Sequence, residues 1–348
     1  MAQDKLRWGI LGTGNIARVF AKGLASCATG ELYAVASRTT DKAQAFGNEF
    51  NVAARYGSYE ELLADPKVQV VYLALPHVSH SEWAIKAAEA GKHILCEKPA
   101  AINQAQVGAM VEAARRKDVF LMEAFMYRCH PQTARLVELI RAKAIGEVRV
   151  IQGTFSFQAE YDPANGAFSN AMGGGGVLDV GCYPVSMARL IAGTALGKAY
   201  AEPIEVSGSA HIGEKSGIDE WAVCSMKFPG GILAQVSTGV FLAQENVVRI
   251  FGSEGDIMIP SPWVPGGREP GITRIFLRKR GEKQPQELIL ETQTGLCAML
   301  ADAVAVGIPK RQSPAMDWED SLGNARTLDL WRKAAGIKYP ADVPGGKV

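Results

Sequence analysis

The chain has 348 residues, more than one ordinary core accommodates and about right for two domains. Hydrophobic residues make up 47% and charged residues 21%, as in globular proteins and unlike disordered or fibrous chains. Lysine plus arginine (37) nearly balance aspartate plus glutamate (36), so no strong net field recruits nucleic acid or an anionic membrane.

The opening stretch runs directly into a strand-like segment without the apolar run of a secretory signal, and no run is long enough to span a bilayer. Cys27, Cys96, Cys129, Cys182, Cys224 and Cys297 are scattered without close pairs, which points to neither a disulfide framework nor a zinc ribbon. A cytoplasmic protein with reduced, buried thiols and no metal is the expectation.

In chain order, Leu6 to Leu11 is a buried strand and Ile16 to Ser26 a helix. Leu32 to Ser37 is a second strand, and Thr40 to Asn48 a second helix. Val68 to Leu75 is a strongly apolar third strand, followed by a helix over Ser81 to Ala90. A short fourth strand, His93 to Cys96, precedes a helix over Asn103 to Lys117 and a fifth strand, Val119 to Met122. Alternation of this kind predicts a parallel sheet covered on both faces.

After residue 123 the pattern changes. A helix over Pro131 to Lys143 leads to a long strand, Val148 to Gln158, then a glycine-rich loop and a helix around Tyr183 to Ile191. Strands follow at Glu205 to Ile212, Glu220 to Phe228, Gly231 to Ala243, Val247 to Phe251, Asp256 to Ile259 and Thr273 to Arg278. Pro229-Gly230-Gly231 reads as a hairpin turn. Helices return at Gly295 to Val306 and Trp318 to Ala335, and Pro344 to Val348 is expected to fray. The expected architecture is an α/β Rossmann domain (1–123) and an α+β domain (124–348) with an open-faced, mostly antiparallel sheet. Val236 and Val240 are expected on the open face, where a second subunit packs to give a homodimer or homotetramer.

The first strand runs into Gly12-Thr13-Gly14-Asn15-Ile16-Ala17, a G-x-G-x-x-A pattern opening a helix. Gly12 permits the tight turn, Gly14 lets the backbone approach a pyrophosphate, and Ala17 allows close helix packing. The helix start supplies free amides and a favourable dipole for the anion. The second strand ends in Ser37-Arg38-Thr39, with no acidic residue for the adenosine ribose hydroxyls. A hydroxyl and a guanidinium suit a 2′-phosphate instead, so NADP(H) is expected over NAD(H); the alternative is that Arg38 caps a solvated loop.

Leu75-Pro76-His77-Val78-Ser79-His80 ends the third strand, where ligands lie in such sheets, and Leu75, Pro76 and His80 are expected along the dinucleotide. Two closely spaced histidines without a third ligand do not make a metal site. Glu97-Lys98-Pro99 ends the fourth strand. Core packing gives no reason for a lysine there, while an ammonium at the mouth of the sheet can donate to a substrate hydroxyl and favour deprotonation of a nearby acid.

With Gly175 to Tyr183 (GGVLDVGCY), these motifs resemble the glucose–fructose oxidoreductase family, Gfo/Idh/MocA. Glu123 to Gln132, which includes Arg128, is similar to a segment that the family places beside the nicotinamide, and the likeness extends to Arg332–Ile337. It is strongest for the branch that holds dimeric dihydrodiol dehydrogenase and NADP-dependent D-xylose dehydrogenase. The resemblance implies an oxidoreductase moving hydride between NADP(H) and a sugar or polyol carbon. It implies that Glu97 and Arg128 lie by the cofactor, and that Lys98 orients substrate and tunes a proton relay.

Asp179 matches the aspartate of the second motif, and Tyr183 stands where many relatives carry histidine. A free phenol has a pKa of about 10, so a cation such as Lys98 or the nicotinamide is expected to lower that of Tyr183. Asp179 can alternatively cap the helix. The run Gly173 to Gly176 is expected to allow the backbone close to substrate. Tyr161, with Asp162 and Asn165, is a candidate for sugar hydroxyls, and the loops 155–172 and 261–271 are expected to set substrate identity. Three rivals stay open: a sugar ketoreductase, an enzyme recycling a tightly held NADP(H), and a non-catalytic NADP sensor.

Overall fold

A computed structural model describes residues 5–342; the tail Pro344 to Val348 lies outside them. In the first part, β1 (Leu6–Leu11), β2 (Gly30–Ala36), β3 (Ala54–Tyr56), β4 (Val70–Leu73), β5 (His93–Cys96) and β6 (Leu121–Glu123) form one sheet. Its order is β3-β2-β1-β4-β5-β6, with every pairing parallel. All four residues of β4 are buried, as a central strand covered on both faces requires. The helices are α1 (Asn15–Leu24), α2 (Thr40–Glu49), α3 (Tyr59–Ala64), α4 (His77–Glu89) and α5 (Gln104–Arg116). Three-residue β3 and six-residue α3 are too short to show a period, so the sequence pattern gave no sign of them. A further difference matters for the site: α4 starts at His77 rather than Ser81, because Pro76 sits at the N-cap in an extended conformation.

The second part begins with α6 (Pro131–Arg141) and β7 (Val148–Ser156). A π-turn over Val177–Gly181 leads into α7 (Cys182–Ala195), which lies against β7: a Cβ on Gly153 would come 3.1 Å from Pro184. The remaining strands are β8 (Glu205–Ile212), β9 (Asp219–Lys227), β10 (Leu233–Gly239), β11 (Val247–Gly252), β12 (Gly255–Pro260), β13 (Ile272–Lys279) and β14 (Gln286–Glu291). They join β7 in the order β14-β13-β12-β11-β7-β10-β9-β8, antiparallel except for β7 with β10. The unexpected β14 carries three apolar residues among charged ones, which hides its alternation.

The expected open face holds, but its residues are corrected. Val236 pairs across to Cys224, and both are buried on the helix-covered side; Val240, past the end of β10, is also buried. A strand's side chains alternate in period two, so the opposite set faces out: Trp221, Val223, Leu233 and, on β14, Ile289 are exposed.

The last helices, α8 (Leu296–Gly307) and α9 (Trp318–Ala335), return to the first sheet's domain. A Cβ on Gly23 of α1 would stand 2.4 Å from that of Cys297, so α1 and α8 touch backbone to side chain. The Trp318 indole donates to the carbonyl of Leu121 in β6 at 3.0 Å. Among the described residues no helix is long and apolar enough to cross a membrane.

Candidate active site

The carboxyl ends of β1, β2 and β4 border a cleft of about 720 Å³. Gly12 adopts φ +103°, and a Cβ there would meet the Ala74 carbonyl at 2.4 Å, so only glycine fits the turn. A Cβ on Gly14 would meet nothing within 4 Å: the space above it belongs to the cleft. Ala17 is fully buried where α1 meets the sheet. Thr13 and Ser37 share a hydroxyl contact at 3.3 Å, and both line the cleft with Arg38 and Lys42. Thr39 is the extended residue before α2. Tyr59 and Trp83, in edge contact at 4.8 Å, and Leu75 and Pro76 also line it. A tight glycine turn, an open helix start and cationic side chains at the second strand fit a dinucleotide with its phosphates.

Beyond Ile16 and Leu75 lies a smaller cavity of about 310 Å³. Lys98, which follows β5 and precedes a cis proline, reaches into it. Its ammonium donates to the Asp179 carbonyl at 2.7 Å and to its carboxylate at 3.0 Å. The Tyr183 ring centroid is 5.3 Å from the same nitrogen. Three groups up to 85 residues apart thus converge because the π-turn carries Asp179 and the first turn of α7 carries Tyr183. The Asp179 carboxylate is held by Lys98 and not by a helix amide, which decides against the capping alternative.

The electrostatics follow from burial and this pair. Burial disfavours the Lys98 ammonium, but Asp179 and its other neighbours more than offset that, and its pKa stands well above the ordinary lysine value. Burial likewise works against the Asp179 carboxylate, yet Lys98 and His77 hold it below the usual aspartate value. Burial pushes the Tyr183 phenol up, and Lys98 counters this only in part. Lys98 alone therefore does not bring the expected lowering of Tyr183: beside it the phenol keeps its proton at neutral pH.

Residues 6–125 match the oxidoreductase family with an NAD-binding Rossmann fold, and residues 133–258 match the GFO/IDH/MocA C-terminal domain. The chain belongs to the GFO/IDH/MocA oxidoreductase family. It is 32% identical to trans-1,2-dihydrobenzene-1,2-diol dehydrogenase of Mus musculus, over 97% of this chain and 99% of the mouse protein. A 3-ketoreductase from Actinomadura kijaniata, solved with NADP and TDP-benzene, superposes with a TM-score of 0.85 at 26% identity, over 95% of this chain and 98% of the other. The aldose-aldose oxidoreductase of Caulobacter crescentus shares the fold, with a TM-score of 0.83 at 24% identity, over 96% and 98% of the two chains.

Within this GFO/IDH/MocA member, several expected contacts lie elsewhere. His80 is fully buried, with Nδ1 at 2.9 Å from the Pro99 carbonyl and Nε2 at 2.8 Å from that of Leu75. Burial lowers its pKa to about 4, so the neutral ring donates to one of these two carbonyls, and wedged between the Leu75 loop and the proline turn it presents nothing to a dinucleotide. Its neighbour His77 lines the small cavity instead, 3.0 Å from the Gly173 carbonyl. Arg128 is buried beneath the site, bonded to the carbonyl of Ala315 at 2.8 Å and paired with Asp320. Glu97 lines the small cavity but is held from below by the Tyr72 hydroxyl, and burial raises its pKa. Asn15 opens α1 and is exposed. Tyr161 is 43% exposed and its hydroxyl donates to the Lys215 carbonyl, outside the cavity. Asp162 and Asn165 accept from the amides of Ala164 and Ala167, which closes their own loop.

The glycine run is also corrected: it approaches protein, not substrate. A Cβ on Gly175, at φ +119°, would stand 2.1 Å from the Asp219 carboxylate. Asp219 is fully buried and accepts from the Val177 amide at 2.6 Å, where the π-turn begins. The Tyr339 hydroxyl donates to the Gly174 carbonyl at 3.1 Å from the other side. Nothing in the pattern around Asp219 marked it; an aspartate at the head of a strand reads as a surface residue. Phe155, Phe157 and Val264 line the small cavity from the two loops expected to set substrate identity, while Lys42, in the first turn of α2, lines the dinucleotide cleft with no sign in the pattern.

Proposed function

We propose that the protein is an NADP-dependent oxidoreductase acting between an alcohol carbon and the carbonyl of a sugar or related polyol. The convergence of Lys98, Asp179 and Tyr183 at the inner end of the dinucleotide cleft carries this reading. Relatives named as a diol dehydrogenase and a 3-ketoreductase carry, in their names, the two directions of one alcohol–carbonyl couple, which supports it. Ser37, Arg38 and Lys42 support the preference for NADP over NAD: a hydroxyl and two cations suit a phosphate better than ribose hydroxyls.

A bound nicotinamide supplies the hydride acceptor in oxidation and the donor in reduction. The chain moves the proton. Lys98 has three N–H donors, two of them directed at Asp179, so one remains for the substrate oxygen. Tyr183 stands beside it with a proton to give. In reduction the phenol protonates the carbonyl oxygen as the hydride arrives at carbon, and an alcohol results. In oxidation the hydroxyl proton passes back to Tyr183, which must first lose its own, while the C–H electron pair leaves as hydride. The protonated phenol is one observation that favours the ketoreductase reading as the second. An NADP sensor would have no use for the buried Lys98–Asp179 pair.

We further infer that the chain assembles as a homo-oligomer through the open sheet face, where Trp221, Val223, Leu233 and Ile289 stand exposed. The division into 1–123 and 124–348 goes with this reading as one of chain order, since α8 and α9 belong to the second part and pack on the first. The test is a panel of aldoses, ketoses and polyols with NADP(H) and NAD(H), followed by nicotinamide absorbance. Turnover of a sugar with NADP(H) is expected. Tight nucleotide binding with no turnover in either direction would overturn the reading. Reduced nucleotide retained through purification would place the enzyme in the recycling class.

A further inference from the structure

Among the described residues, one cation at the catalytic cavity has no carboxylate of its own. It is Arg268, which lines that cavity together with Lys98, Asp179 and Tyr183 and is exposed at its edge. The Gly267 amide closes a turn on the Val264 carbonyl at 3.1 Å, with Gly266 at φ +71° and Gly267 at φ +93°. The turn brings Val264 and Arg268 to one lining. The Arg268 carbonyl accepts from the Leu296 amide at 3.2 Å, where α8 begins, and Glu269 pairs with Lys22 of α1 at 2.9 Å. This end of the loop 261–271 therefore lies on helices of the first sheet's domain, not on the open face of the second.

The other ionisable groups of the lining are engaged. Lys98 and Asp179 neutralise each other at 3.0 Å, and burial lowers the His77 pKa, so that ring is neutral at pH 7. Glu97 accepts from the Tyr72 hydroxyl, and Tyr183 holds its proton. The carboxylate next to Arg268 in sequence, Glu269, is taken by Lys22. Phe155, Phe157 and Val264 supply apolar wall. A substrate that fills a space of about 310 Å³ with such a wall displaces water from the guanidinium. A neutral sugar would leave that charge partly dehydrated and unpaired, whereas an anion meets it with charge-assisted bonds. A single planar fork matches a carboxylate through two parallel bonds. A phosphate dianion calls for a second free cation, and Lys98 is already paired.

Resting on the function proposed above, we propose that the substrate is an acidic sugar, a uronic acid or related polyhydroxy acid, whose carboxylate pairs with Arg268. The reacting carbon lies beside Lys98 and Tyr183, and the carboxylate is unchanged by the reaction. Arg268 moves neither proton nor hydride. It sets specificity by holding a part of the substrate away from the reacting carbon, as remote binding groups do.

The experiment compares D-glucuronate with its methyl ester and with D-glucose, and D-galacturonate with D-galactose, on the full-length protein with NADP. The acid is expected to exceed its neutral counterpart about tenfold in kcat/KM, with the difference carried by KM. Added salt should shrink that preference. Arg268→Met should bring acid and neutral sugar within about twofold, Arg268→Lys should keep part of the preference, and Arg268→Glu should place the acid below the neutral sugar. Neutral sugars used as well as acids, or a preference that survives Arg268→Met, overturn the inference and leave the oxidoreductase reading standing. Glucose 6-phosphate preferred to glucuronate overturns it too, because more than one free cation must then meet the substrate. A further outcome is that Arg268→Met weakens NADPH binding, read by fluorescence, and leaves the acid-to-neutral ratio unchanged. Arg268 then serves the dinucleotide, and the inference falls. Calorimetric titration of glucuronate into the NADPH-loaded protein separates binding from reaction. Binding without turnover, lost in Arg268→Met and partly kept in Arg268→Lys, supports the carboxylate site and sinks only the proposed reaction. No binding to the wild type overturns the inference.

Discussion

The two ends of the cleft are built from different materials. At the dinucleotide end the backbone does most of the work: a left-handed Gly12, the open start of α1, and side chains half in water. At the substrate end the work falls to a largely buried ion pair and a buried phenol, contributed by segments that meet only when both parts of the chain fold. Backbone sites hold a ligand by many small contacts, so losing one side chain weakens binding by degrees. A buried charge pair is all or nothing, because removing one partner strands the other. The two ends should therefore fail in different ways when altered.

The largest effect belongs to the substrate end. Lys98→Met is expected to lower kcat on the order of 10³-fold and Tyr183→Phe on the order of 10²-fold, the range of general acid–base catalysis. The dissociation constant for NADPH, read by its fluorescence, should stay within about threefold, since neither group lies at the phosphate cradle. Loss of nucleotide binding in Lys98→Met would erase the distinction between the ends. The protonation of Tyr183 sharpens it further. Because burial holds the phenol's pKa above its ordinary value, oxidation should accelerate with pH and show no plateau below pH 10, while reduction stays level through neutral pH. A plateau of the oxidation rate near pH 7 would mean that another group takes the proton.

At the dinucleotide end the matching change is Arg38→Ala. NADP affinity should fall about tenfold to a hundredfold, the worth of one charge-assisted contact, while NAD affinity holds. Equal loss for both nucleotides would mean that Arg38 serves the loop and not the 2′-phosphate.

How much of this was legible follows from the same contrast. The glycine turn, its flanking strand and its helix are one local stretch, so sequence order displayed them together. Lys98, Asp179 and Tyr183 could be placed by resemblance, but their burial, and with it the direction of the phenol's shift, depends on packing that no local pattern records. His80 is expected at the cofactor from its place after a strand, and Arg128 from the resemblance of its segment; His80 instead faces two backbone carbonyls, and Arg128 bonds the Ala315 carbonyl and Asp320, with Nη1 unpartnered among the described residues. Alternation along the strands, with Val236 and Val240 as apolar residues of one set, suggests the open face. Alternation gives two faces and does not say which the helices cover. The open face can be tested directly. Val223→Arg puts a charge beside Trp221 on the open face, and should reduce the assembled mass in light scattering while the monomer keeps its circular dichroism. An unchanged mass would move the subunit contact elsewhere.

The smallest expected effect lies between the two ends, at Asp219. Burial pushes its carboxyl up to about 7 from 3.8, partly countered by the bonds from Val177 and Tyr339 and by the Arg332 charge. From pH 4 to 7 the folded state then holds a proton that the unfolded state has lost, so this group's stabilising contribution is complete below about 4 and is lost as pH rises through 7. Asp219→Asn keeps an oxygen for the Val177 amide and carries no charge at any pH. Its Tm should match wild type at pH 5 and exceed it at pH 8 by on the order of 3–5 °C. The wild-type carboxylate, in turn, accepts more strongly than an amide, which tightens the turn that presents Asp179 and Tyr183 at the cost of burying a charge. If the variant melts lower at both pH values, the bond to Val177 outweighs burial, and the junction is held by charge and not in spite of it.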